Sequence, residues 1–146
     1  MASDHYIGPH RYVLDGDLVH NLPDRREPLD LETMQAYTAL LEPIFIQYGR
    51  IFLLTNACSL FNVTAPARRH LAEWARGTHI TASAIYGGDY TSRTLIKMIE
   101  SVMAISGRGR GRLPAKQAFF ANEPEARAWL VRERDKYLAA HPDAPR

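Results

Sequence analysis

The run RIFLLTN at residues 50–56 is almost entirely apolar and lacks the apolar–polar alternation of a strand with one wet face. It predicts a strand covered on both faces, as occurs in a parallel sheet with helices above and below. The next segments repeat the theme. TAPARRHLAEWARG (64–77) opens with Thr64 in the N-cap position and Pro66 in the first turn. It sets Ala67, Leu71, Trp74 and Ala75 on one face and stops at Gly77. HITASAIYGG (79–88) predicts the next strand, and SRTLIKMIESVMAISG (92–107) the next helix, with Leu95, Ile99, Val102 and Met103 facing inward. KQAFFA (116–121) predicts a short strand. Asn122 and Glu125 form a capping-box pair opening a last helix, with Ala126, Trp129, Leu130, Glu133 and Tyr137 at helical spacing.

Ahead of these units, HRYVLDGDLVHNL (10–22) reads as two short strands around Asp15-Gly16, a dipeptide that favours a type I′ hairpin turn. PDRREP (23–28) breaks the chain as an exposed loop. Asp30 then caps a helix with Leu31, Met34, Thr38, Leu41 and Phe45 along one face, closed by Gly49 and expected to kink or end early at Pro43. The order is a β-hairpin, a helix and three βα units. That predicts one α/β domain over residues 1–146 with a mixed sheet flanked by helices, right-handed parallel crossovers and no internal repeat. Residues 1–9 and 139–146 read as flexible tails.

Composition removes several function classes. Eighteen Lys and Arg against sixteen Asp and Glu leave a net charge of +2, a small excess for a dedicated nucleic-acid binder. Cys58 is the single cysteine, so no intrachain disulfide can form and a reducing compartment is the simple reading. MASDHYIGPH has no basic segment leading into an apolar one, so no signal peptide is expected, and no apolar run approaches the ~18–20 residues that span a bilayer. A cytoplasmic location is expected. The match of Asn62-Val63-Thr64 to a glycosylation acceptor is discounted on the same ground.

IFLLTNACSLFNVTAPARRHLAEWAR (51–76), ITASAIYGGDYTSRTLIKMI (80–99) and FFANEPEARAWL (119–130), together with the hairpin, cover nearly the whole chain. In this arrangement the sequence resembles the STAS domain, the fold of anti-sigma factor antagonists. More narrowly it is similar to the bacterial single-domain branch related to both STAS and CRAL-TRIO lipid-transfer domains. The resemblance implies a regulatory module that binds a protein partner, or a small lipid-like or anionic ligand. It also implies a phosphorylation switch at a serine opening the helix after the third strand. Here Thr64 stands at the acidic position of that motif, and Ala65 and Pro66 stand at the serines. The strict switch residue is absent, and Thr64, one position away, is the hydroxyl left to accept phosphate. The acid at the end of the family's strand corresponds to Asn56.

Catalytic signatures are missing. A nucleophile needs a base within reach and a group to orient that base, and Cys58 has neither a histidine nor an acid beside it in sequence. There is no nucleophile elbow, P-loop or dinucleotide fingerprint, and His5, His10, His20, His70, His79 and His141 lack metal-ligand spacing. No enzyme activity, cofactor or metal is expected. Ligands of open α/β sheets settle where parallel strands end, which would gather Asn56, Thr64, Gly87, Gly88, Ser92 and Arg93 into one rim. That rim could hold an anion at a helix N-terminus, or be only a turn, a cap and a solvated arginine. SGRGRGRLPAK (106–116) carries Arg108, Arg110, Arg112 and Lys116 and no acid. It reads as a solvated basic loop, with weak binding of nucleic acid or an acidic surface as the alternative, and it lacks aromatics to stack bases. A homo-oligomer is compatible with all of these readings.

Overall fold

In the computed structural model the described residues are 2–24, 26–57, 62–77, 80–88 and 116–146. They form one six-stranded sheet whose spatial order follows the chain: β1 (Ser3–Ile7), β2 (His10–Asp15), β3 (Leu18–Leu22), β4 (Ile51–Asn56), β5 (Ile80–Tyr86) and β6 (Lys116–Phe120). The first three strands pair antiparallel, and β3 to β6 run parallel. The helices are α1 (Leu31–Tyr48), α2 (Ala65–Gly77) and α3 (Glu123–Ala140). The expected α/β architecture with a mixed, helix-flanked sheet is present. The helix expected over 92–107, together with Cys58, His79, Ser92, Arg93, Arg108, Arg110 and Arg112, lies outside the described residues.

Strand alternation sorts side chains into two cores. Tyr12, Val19 and Ile51 pack with Met34, Tyr37, Leu41 and Ile44 of α1 and Ala67 of α2. On the opposite face Leu18, Phe52, Leu54, Ala82, Ala84 and Tyr86 pack against Ala126 and Leu130 of α3. Successive residues of β4 thus serve both cores, which is why its sequence has no polar phase.

Three local expectations need correcting. Ser3–Ile7, expected as part of a flexible tail, is the edge strand β1, because Gly8 at φ +59° lets Gly8-Pro9 reverse the chain and pair Ile7 with His10. In the second hairpin Asp15 pairs with Leu18, so Gly16-Asp17 are the central residues. Only Gly16 has positive φ, at +61°, which suits type II′; the expected type I′ needs positive φ at both positions. Finally, α1 runs through Pro43 to Tyr48 without ending. Pro43 and Ala39 are both exposed, so the carbonyl of Ala39 that loses its amide partner can bond water instead. The ends behave as expected: Asp30 accepts from Thr33 N at 2.9 Å, and Gly49 at φ +69° donates to Phe45 O at 2.7 Å. The Asn122 side chain accepts from Glu125 N at 3.1 Å to cap α3.

Candidate functional site

A cavity of about 120 Å³ lies between the sheet and the α1/α2 layer. Its walls are apolar, built from Tyr12, Leu29, Met34, Leu41, Leu53, Val63, Leu71, Ile80 and Ile85. Three polar side chains reach it from adjacent strands: Asn21 of β3, Thr55 of β4 and Ser83 of β5. Register brings them together, since Asn21 stands opposite Thr55, and Ser83 stands opposite Leu53, two residues before Thr55 on the same face. Tyr37 of α1, stacked on Tyr12 with ring centroids 4.9 Å apart, donates its hydroxyl to Asn21 Oδ1 at 3.0 Å. Asn21 Nδ2 in turn donates to Thr55 Oγ1 at 3.0 Å. Burial raises the Tyr37 phenol far above its usual range, with Tyr12 adding to the shift, so it remains protonated. Arg68 also lines the cavity, its Nη1 donating to Val63 O at 2.6 Å.

A second cluster lies on the α3 face. The buried His20 Nε2 is 2.8 Å from Tyr86 Oη, and its Nδ1 faces Arg127 Nη2 at 3.4 Å and Glu123 Oε1 at 4.0 Å. A guanidinium can only donate, so Nδ1 accepts and Nε2 carries the proton toward Tyr86. Burial lowers the His20 pKa. Glu123 works against this shift, while Arg127 and Arg11 add to it. His10, whose Nδ1 accepts from Asp24 N at 2.9 Å, is likewise lowered by burial, against the pull of Asp24, Glu27 and Asp30.

Both shifts have the same sign for stability. An unfolded histidine takes up a proton below about pH 6.5 while its folded counterpart stays neutral, so stability is full above that pH. It then declines as the pH falls toward the folded values, by at most about 1.4 kcal/mol per pH unit for each histidine. Urea midpoints should therefore drop between pH 7.5 and 5.5, and the drop should shrink in His20→Gln. An unchanged slope in that variant would contradict the assignment.

The expected rim is brought together in part. Asn56 pairs with Tyr86 at the ends of β4 and β5, and Gly88 packs directly on Ala57. Gly87 donates its amide to Phe120 O at 3.3 Å. Thr64 is held by a different contact, a backbone bridge in which its amide donates to Leu29 O at 3.1 Å. Its hydroxyl accepts from Ala67 N at 3.4 Å at the start of α2. Ser92 and Arg93, the other two rim residues, lie outside the described residues, as do the three loop arginines. The fourth loop cation, Lys116, opens β6 with its Nζ 3.1 Å from Glu133 Oε2, and Lys136 Nζ lies 3.3 Å from Oε1. Burial pushes the Glu133 pKa up, but hydrogen bonds from the two lysines outweigh it and the net shift is downward. Lys116 thus already faces an internal carboxylate.

No protein-family model matches the chain, and no curated protein does. Among solved structures, an uncharacterized protein of the DUF3478 family from Shewanella loihica PV-4, described as having a SpoIIAA-like fold, matches at a TM-score of 0.51. The match covers 89% of this chain and 92% of that one. The fold is SpoIIAA-like. At 17% identity this likeness speaks to architecture alone, and it agrees with the STAS resemblance of residues 51–76, 80–99 and 119–130. Within the described part of this SpoIIAA-like fold, no three His, Cys, Asp or Glu side chains converge as metal ligands. No described helix is long and apolar enough to cross a membrane.

Sequence reasoning missed the cavity and the His20 cluster. One signal was present: Asn21, Thr55 and Ser83 are small polar residues inside mainly apolar strands, at positions whose alternation points inward.

Proposed function

We propose that this chain is a non-enzymatic STAS-like binding module that takes up a small apolar molecule between its sheet and α1/α2 and presents the occupied state to a protein partner. The cavity carries this reading. Its volume of about 120 Å³ is close to the ~150 Å³ apolar cavity that binds benzene in an engineered protein, and far below the ~300–1,000 Å³ typical of drug-sized ligands. A single ring or a short branched chain fills that volume. The described lining contains no histidine, carboxylate or cysteine, and Tyr37 is held as a neutral phenol, so the described lining offers no base.

Occupancy should register as stability. Ligand at ten times its Kd adds about 1.4 kcal/mol, which raises Tm by roughly 3–6 °C for a chain of this size. Toluene or a molecule of similar volume should produce that rise in the parent protein. Val63→Phe, which turns a ring into the cavity, should lose it. No shift in the parent, or an equal shift in Val63→Phe, would overturn the reading.

A further inference from the structure

The hydrogen bonds beside the cavity have a direction, and the direction leaves something over. Tyr37 donates to Asn21 Oδ1, which orients the amide so that Nδ2 faces Thr55 and donates to Thr55 Oγ1. Thr55 is the acceptor of that bond, so its own hydroxyl hydrogen must point elsewhere. Among the described residues it has no acceptor, and neither has the hydroxyl of Ser83. These are buried groups: Asn21 is 7% exposed, Thr55 9% and Ser83 5%. A donor on the wall of an apolar cavity is satisfied only by an acceptor that enters it, so small polar residues set on that wall call for one.

We propose that the ligand of this cavity is a small, neutral, mainly hydrocarbon molecule bearing one acceptor oxygen, a ketone, ester or similar carbonyl, directed at the Thr55 and Ser83 hydroxyls. The proposal rests on the small-ligand reading of the cavity and adds the ligand's chemical class. The walls receive the hydrocarbon body. The two residues are diagonal neighbours on one face of the sheet and both line the cavity, which sets their hydroxyls beside the same space. Neutrality follows from the donor set. Asn21, Thr55 and Ser83 are uncharged, and the lining around them is apolar, so a carboxylate would lose its hydration without equivalent compensation. Arg68 is the one charged residue in the described lining, and Val63 O engages one of its nitrogens.

Three probes of similar size test this: cyclohexanone, methylcyclohexane, in which a methyl group stands for the oxygen, and benzoate. Dissociation constants come from titrations of the intact chain followed by backbone amide resonances. Cyclohexanone should bind roughly tenfold more tightly than methylcyclohexane, the size of effect expected from one or two neutral hydrogen bonds to otherwise unpaired donors. Ser83→Ala, which disturbs no bond among the described residues, should remove most of that preference. Thr55→Val should do the same, with its folding checked separately because it strands Asn21 Nδ2.

Equal affinity for the ketone and the hydrocarbon would overturn the acceptor assignment while leaving the cavity as an apolar site. Failure of both to bind would overturn the site itself. Benzoate binding more tightly than cyclohexanone, with the advantage lost in Arg68→Gln, would overturn neutrality and make the ligand an anion.

Discussion

Replacing Arg50 by methionine is expected to lower the stability of the fold by about 3–5 kcal/mol, the range found when one partner of a buried ion pair is removed. Arg50 is 1% exposed at the entrance to β4, and its Nε donates to Asp17 Oδ2 in the β2–β3 turn, itself 4% exposed. Its guanidinium lies between two rings, 5.4 Å from the centroid of Tyr48 and 5.5 Å from that of Tyr137. One side chain therefore ties the second hairpin to the end of α1 and to α3. Methionine keeps much of the volume but leaves the Asp17 carboxylate buried, with only Arg134 Nη1 at 3.5 Å to face it. The cost is that of a buried carboxylate left with one longer, half-exposed partner. Removing the charge as well, in Arg50→Met/Asp17→Leu, should restore most of the loss, because an apolar pair of similar volume often matches a buried ion pair. Urea unfolding of the four proteins in the cycle measures this directly. Losses that simply add, with no recovery in the double variant, would show that packing and the ring contacts dominate, and that the charge pair contributes little.

The same residue shows why parts of the structure were legible in the sequence and others were not. The β4 strand, α2, the Asn122 cap of α3 and the α/β class depend on patterns a few residues long: a run without polar phase, a spacing near three and a half residues, a side-chain oxygen three residues before an amide. The Arg50–Asp17 contact spans 33 residues and exists only because β3 and β4 are neighbours in register, with Phe52 N also donating to Asp17 O at 2.8 Å. In the sequence Asp17 looks like a turn residue and Arg50 like the polar edge of a strand. Asn21, Thr55 and Ser83 are scattered over the chain in the same way and meet only through two parallel pairings. The error at β1 has another source. Ser3, Asp4 and His5 give a polar opening, as an edge strand with little buried surface tolerates, so the periodic signal was weak and the reversal at Gly8-Pro9 was the only clue. Composition told least about the site, because the cavity uses ordinary core residues, four small polar ones and Arg68.

Gly88→Ala is expected to cost about 2–5 kcal/mol, and the reason bears on the expected rim. Two effects combine. Gly88 has φ +74°, a left-handed conformation in which a Cβ costs about 1–2 kcal/mol. A Cβ there would also lie 2.9 Å from Ala57 Cβ and 3.3 Å from Ala57 C and O, an overpacking that typically adds about 1–3 kcal/mol. Gly8→Ala separates the two: Gly8 has φ +59° with nothing within 4 Å of the added atom, so it should show the backbone cost alone. Ala57→Gly in the Gly88→Ala background removes the Cβ–Cβ clash but not the backbone contact, and should return part of the difference. Thermal and urea denaturation of these variants give each contribution. If Gly88→Ala is no more costly than Gly8→Ala, the close approach to Ala57 is not constraining the ends of β4 and β5. If the expected order holds, glycine at position 88 is required to let two strand ends meet. Its presence in the sequence then needs no anion bound between them.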